Sequence, residues 1–432
     1  MNYYSLQHKA PKASFREAVI RGIAPDRGLY FPLSITPLPH SFFTEIESLT
    51  NHEIAFHTIK QFVGDDIPED ALANIVADVL SFDFPLTSIN GNTHSLELFH
   101  GPTLAFKDVG ARFMARSLGY FSSQSETREP VTVLVATSGD TGGAVANGFL
   151  NVEGVNVVIL YPSGKVSEIQ EKQLTTLGHN ITAIEVEGTF DDCQDFVKTA
   201  FLDEEITEHV SLTSANSINV ARWLPQMFYY FIAYKKLKRL KKPLVFSVPS
   251  GNFGNICAGL MAWKLGLPID HFVASVNAND VVPKYFETEE YIPKNSVSTI
   301  SNAMDVGDPS NFVRILELFS GNHSELSKLV SSWSFTDAQT RAAMKQLYQT
   351  CGYIADPHGA VGYLGLNKYL QDHPEAHGVF LETAHPVKFL AEVEITLSTK
   401  LPIPTGISAI LNKEKKAEAI TSYHELKRLL LD

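Results

Sequence analysis

The chain has 432 residues, more than one hydrophobic core usually supports, so two or three domains are expected. Hydrophobic residues make up 44% and charged residues 19%, as in ordinary soluble globular proteins, and the net charge of −13 argues against a surface for nucleic acid or another polyanion. Three scattered cysteines (Cys193, Cys257, Cys351) form no C-x-x-C pair, which excludes a disulfide framework or zinc site, and no metal is expected.

Residues 1–9 hold no apolar run of the signal-peptide kind, and no run anywhere reaches membrane-spanning length; a cytoplasmic protein without membrane partners is expected. Residues 1–90 read as a mainly helical subdomain, with helices over 15–20, 53–63 and 68–80 and a Pro-rich stretch over 32–39. Nothing there clusters chemically, so packing or covering a site is its expected task.

Leu96-Glu97-Leu98-Phe99 reads as a strand and is followed by His100-Gly101-Pro102-Thr103-Leu104-Ala105-Phe106-Lys107-Asp108-Val109-Gly110. Phe106, Val109, Gly110, Phe113, Met114, Ser117 and Leu118 then fall on one face of a helix. Lys107 therefore belongs in the first turn of that helix, beside its core-facing stripe. Desolvation there lowers a lysine pKa, and such an amine attacks carbonyls to form imines. The plainer alternative is a lysine that snorkels to the surface.

Strands over 131–136, 155–160, 181–186, 244–248 and 379–383 alternate with helices. The helix over 220–240 reads as amphipathic. Its basic end, Lys235-Lys236-Leu237-Lys238-Arg239, reads as a solvated face that suits the helix dipole. The tail from Lys413 reads as one charged amphipathic helix. Repeated β–α units predict an α/β protein with two open, mostly parallel twisted sheets and helices on both faces.

Four strand-to-helix loops carry candidate chemistry, and in open parallel sheets ligands bind beyond the carboxyl ends of the strands. They hold Lys107, Ser138-Gly139-Asp140-Thr141, Gly251-Asn252-Phe253-Gly254-Asn255 and Thr383. Gly251–Asn255 reads as a phosphate cradle, because glycines admit a close ligand and a helix start offers unpaired N–H groups. It lacks both the Walker lysine and G-x-G-x-x-G, which argues against a nucleotide-binding dehydrogenase. The loop over 138–141 has the same logic and suits a second anion such as a carboxylate. For both loops a plain capped turn is the alternative. An imine-forming lysine, a phosphate cradle and a second anion site together suggest pyridoxal 5′-phosphate.

These stretches resemble the threonine synthases, pyridoxal-phosphate enzymes of the tryptophan-synthase β-subunit fold type (fold type II). The resemblance lies in 100–108, Arg112-Phe113-Met114-Ala115, 136–142, Asn216-Ser217-Ile218-Asn219-Val220-Ala221-Arg222, 249–255, 303–312 and 381–389. Arg27-Gly28-Leu29-Tyr30 is similar to the longer bacterial and fungal branch. The resemblance implies conversion of O-phospho-L-homoserine to L-threonine and phosphate by a protein taken as a monomer, an oligomer being left open. It implies an N-terminal subdomain (1–90), a large cofactor-binding domain (91–130 with 240–432) and a small substrate-binding domain (131–239).

Lys107 would carry the cofactor and, once freed, act as general base. The 251–255 backbone would hold the cofactor phosphate and Thr383 its ring nitrogen. Ser138, Gly139, Asp140 and Thr141 would bind the substrate carboxylate. Ser217, Asn219 and Arg222 are the candidates for the substrate phosphate, with a helix-surface arginine as the alternative for Arg222. His358 and His385 read as packed histidines near the site. Competing readings are a serine or threonine dehydratase of the same fold type and a catalytically silent relative.

Overall fold

The computed structural model describes residues 1–124 and 130–432. Two parallel sheets dominate it. The larger has six strands in the order Val330–Ser334, His271–Val276, Leu244–Pro249, His377–Glu382, Thr93–Glu97, Leu86–Asn90, all parallel except the last. Its three central strands are buried along their whole length, the pattern of a sheet covered on both faces. The smaller has five parallel strands, in the order Glu418–Ile420, Ile181–Val186, Val155–Pro162, Val131–Ala136, Ser211–Ser214.

The N-terminal part is mainly helical, as expected, with Phe15–Arg21, Asn51–Val63 and Glu69–Val79. Ser14 and Thr50 close capping boxes with Glu17 and Glu53, which fixes where the first two helices start. An unexpected three-stranded antiparallel sheet joins Ala13–Ser14, Asn2–Ser5 and Tyr30–Pro32.

The expected divisions shift at both ends. Leu86–Asn90 belongs to the six-stranded sheet, so that sheet begins inside the stretch assigned to the N-terminal subdomain. Glu418–Ile420 pairs with Ile181–Val186, so the tail returns to the smaller sheet. The tail is therefore a strand followed by the helix Tyr423–Leu431, started by Ser422 and Glu425, and not one helix from Lys413.

The helix expected over 220–240 is broken into Val220–Trp223, a 3-10 turn and Met227–Leu237. Pro225, which has no N–H to give, lies in the turn. Met227–Leu237 is not amphipathic, since Met227 to Ala233 are all buried. Its basic end is also more than a solvated face. The Nζ of Lys236 donates to Phe84 O at 2.7 Å, Lys238 Nζ to Thr44 O at 2.7 Å, and Arg239 Nε to Glu47 at 2.7 Å. Among the described residues no helix is long and apolar enough to cross a membrane.

Candidate active site

The carboxyl ends of the two sheets meet at one cleft. Lys107, Ser138, Asp140, Thr141, Ser217, Arg222, Gly251 to Asn255 and Thr383 all line it. Strand-to-loop geometry brings them there. Thr93–Glu97 leads to Lys107, Val131–Ala136 to Ser138, Ser211–Ser214 to Ser217, Leu244–Pro249 to Gly251, and His377–Glu382 to Thr383.

Lys107 is the first residue of the helix Lys107–Ser123. The turn before it is held to the Thr383 segment: Phe106 N donates to Thr383 O at 2.8 Å and His385 N to Leu104 O at 3.0 Å. Leu104 takes φ 59°, a left-handed conformation that a leucine adopts only under such constraint. Asp108 caps the turn by accepting from the N–H and hydroxyl of Thr103. Lys107 keeps some surface open to the cleft while protein surrounds it densely. Burial lowers its pKa to about 8, and Arg222 and Lys388 push the same way against Asp140.

The 251–255 loop has the features of an anion cradle. Among the described residues, the N–H groups of Gly251, Asn252, Phe253 and Gly254 donate to no protein acceptor. Phe253 sits at φ 60° just before the helix Gly254–Lys264, so the chain turns sharply into the helix start. Asn255 Oδ1 accepts from Tyr230 at 2.7 Å, while its buried Nδ2 has no partner. Asn252 is held from behind, its Oδ1 accepting from Ser310 N at 3.2 Å and its carbonyl from Asn311 Nδ2 at 3.1 Å. An unpaired buried donor and a row of free N–H groups fit the phosphate of pyridoxal phosphate, in the same cleft as a lysine of lowered pKa.

Not every expected residue reaches the cleft with a free group. Asp140 lines it, but its carboxylate is engaged by Lys388 Nζ at 2.8 Å and Gln170 Nε2 at 2.9 Å. Burial would raise the Asp140 pKa; the Lys388 and Lys107 charges overcome this and hold it well below the usual carboxylate range. Gly139 lies behind the loop at φ 134°, packed against Gln170, and is not a lining residue.

Asn219 is not brought to the cleft. It caps the helix Val220–Trp223 and donates to Val19 O at 2.9 Å and Ser214 O at 3.2 Å, which uses its side chain fully. Arg222 is buried rather than on a helix surface. It donates to Ala215 O through Nη1, while its Nε has no protein partner. Burial lowers its pKa to about 10, well above neutrality, so it stays charged.

His358 lines the cleft but is held at both ring nitrogens, by Asp356 and by Ala303 N at 3.2 Å. His385 packs against Phe99 outside the cleft. The sequence reading missed Lys388, Gln170 and Asn311. Lys388, a lysine in the mostly apolar run after Thr383, carried the one available signal.

Residues 95–381 match the family described as pyridoxal-phosphate dependent enzyme, 2–80 the threonine synthase N terminus, and 359–429 the threonine synthase C-terminal family. The threonine synthase of Serratia marcescens is 42% identical, with 100% of this chain and 99% of that protein covered. The crystal structure of threonine synthase from Escherichia coli superposes with a TM-score of 0.93 at 40% identity, covering 100% of this chain and 99% of that one. The PLP-bound threonine synthase from Brucella melitensis gives 0.92 at 31% identity, again covering 100% and 99%. With cleft, cradle and lysine in the corresponding fold, the chain belongs to the pyridoxal-phosphate-dependent enzymes and, among them, to the threonine synthase family.

Proposed function

We propose that the chain converts O-phospho-L-homoserine and water into L-threonine and inorganic phosphate, the phosphate leaving Cγ and the hydroxyl arriving at Cβ. The observation that carries this reading is the shared cleft, lined by Lys107, by the 251–254 loop with its free N–H groups and by buried Arg222. Bound there, pyridoxal phosphate supplies an aldehyde for the amine and a ring that stabilises negative charge next to it.

Lys107 Nζ is the attachment point. The N–H groups of Gly251, Asn252, Phe253 and Gly254, with Asn255 Nδ2, hold the phosphate, and Thr383 serves the ring nitrogen with a neutral hydroxyl. Ser138 and Thr141 bind the substrate carboxylate. Gly139 shapes that loop from behind, and Asp140, already paired with Lys388, fixes its position. Arg222, with Ser217 in the same cleft lining, takes the substrate phosphate through its charged guanidinium. Once free, Lys107 is the base that removes the Cα proton. A pKa of about 8 leaves a useful fraction of it neutral near physiological pH. A cytoplasmic site of action is part of the same proposal, in keeping with unpaired Cys193, Cys257 and Cys351.

The test is to add O-phospho-L-homoserine to the purified full-length chain and measure phosphate and threonine together. Equal amounts of the two are expected, and Lys107→Ala loses both turnover and the near-visible absorbance of the bound cofactor. Release of 2-oxobutyrate in place of threonine, or an unchanged spectrum in Lys107→Ala, overturns the reading.

A further inference from the structure

We propose that Lys388 is a positioning residue: it holds Asp140 to the turn that carries Lys107 and so keeps the Asp140 carboxylate from pairing with the Lys107 ammonium. The inference rests on the amine role of Lys107 proposed above.

Lys388 is completely buried, yet its Nζ has two partners from different parts of the chain. It stands 2.8 Å from Asp140 Oδ1 and donates to Thr103 O at 2.9 Å. Asp140 begins the helix that follows a strand of the smaller sheet, whereas Lys388 follows Thr383 on the larger one. The helix Glu168–Thr175 reinforces the same junction one turn apart. Gln170 donates to Asp140 at 2.9 Å and Gln173 to Thr103 O at 3.0 Å. The two sheets are therefore joined, next to the cleft, by a buried polar seam with one ion pair at its centre.

A buried carboxylate needs a cation, because an unpaired charge in such a place is strongly destabilising. Two amines are in electrostatic reach of Asp140, Lys388 and Lys107. Were Lys107 the partner, it would be held charged and unable to take a proton. Lys388 occupies Asp140 instead and adds its own positive charge to the surroundings of Lys107. The other charges felt by Lys107 come from Arg222 and Asp140, and the neighbouring Asp108 is tied to Thr103. Lys388 itself also faces Asp108 and His385.

Competitive acetylation across pH, read by mass spectrometry at Lys107 in the cofactor-stripped full-length chain, measures the amine directly. In Lys388→Met the labelling midpoint is expected to rise by about one unit or more, since an opposite charge loses its partner nearby. Lys388→Arg restores it towards the native value. The double variant Lys388→Met/Asp140→Asn brings it back to the native value or below.

In the loaded enzyme the acid limb of the kcat profile moves up with the midpoint in Lys388→Met. An unchanged midpoint in a Lys388→Met chain that still unfolds cooperatively overturns the proposal, as does a double variant that keeps the raised midpoint. Where Lys388→Met does not fold, Asp140→Asn alone decides. It must lower the midpoint, and no change overturns the proposal. Retention of the cofactor absorbance in Lys107→Ala would instead sink the functional reading, and the labelling comparison would stand apart from it.

Discussion

Gly251 lies so close to Met304 that a Cβ on the glycine would stand 2.7 Å from the Met304 Cα and 3.1 Å from Ala303 O. Both obstacles are backbone, so neither can rotate away. His358 holds Ala303 N in turn and fixes that segment against the cradle. Gly251→Ala must therefore displace the loop whose N–H groups are free for the cofactor phosphate. Overpacking of this kind costs roughly 1–3 kcal/mol. Affinity for pyridoxal phosphate is expected to fall about tenfold or more, read from absorbance during cofactor titration, with the thermal midpoint of the cofactor-free chain changed much less. Native affinity in that variant would remove 251–254 from the cradle.

Arg222 lines the cleft from a buried position, and its Nε has no protein partner. Arg222→Lys keeps the charge but loses the planar fork that suits a phosphate. With about 1.5–3 kcal/mol for a hydrogen bond to a charged group, KM for O-phospho-L-homoserine should rise about 10–100-fold. Inhibition by L-homoserine, which has no phosphate, should change little. Parallel weakening of both compounds would assign Arg222 to packing.

Arg314 connects the N-terminal part to the site. It donates to Tyr30 O at 3.1 Å and 3.3 Å, to Ser217 O at 3.2 Å, to Ile218 O and to Asn311 Oδ1 at 2.6 Å, and its guanidinium lies 4.9 Å from the Trp223 ring centroid. Arg314→Met leaves three carbonyls without this donor. At about 1–3 kcal/mol for each unsatisfied buried group, a loss of about 3 kcal/mol or more is expected in urea unfolding. KM should also rise, although Arg314 does not line the cleft, because Ser217 is held through it. Unchanged stability would mean that the first residues of the chain are docked without it.

Much of this architecture is legible in the residues themselves, and the reasons for the rest are physical. Val131–Ala136 and Ile181–Val186 stand out as apolar, β-branched runs between turn residues, and the structure has strands with those bounds. Pro357–Asp372 escapes because Gly359, Gly362 and Gly365 weaken any helical reading. Tight packing explains them: a Cβ on Gly365 would meet Ser275 Oγ at 1.9 Å, and one on Gly359 would meet Glu382 Oε2 at 1.4 Å. Asn219 and Arg222 sit in one motif, yet one caps a helix and the other reaches the cleft. A linear pattern gives residue types and not directions. Lys388 escapes for a related reason, since its partner Asp140 belongs to the other sheet and only the folded chain brings them together.

Lys107 itself should be a burden on the fold. In the unfolded chain its pKa is the ordinary 10.5, and burial lowers it to about 8 in the folded one. Below about pH 8 both states carry the proton, and the folded state bears the full penalty of a buried charge. Between about 8 and 10.5 only the unfolded chain keeps it, so stability rises with pH through that window and levels off above it. Lys107→Met removes the penalty. In the cofactor-free chain it is expected to be more stable than the native sequence by on the order of 2 kcal/mol at pH 7, an advantage that fades as pH is raised to 10.5. Thermal or urea unfolding of both chains at several pH values measures it. A stability difference that does not vary with pH would show that the amine is ordinarily solvated, and the physical basis for choosing it as the base would be gone.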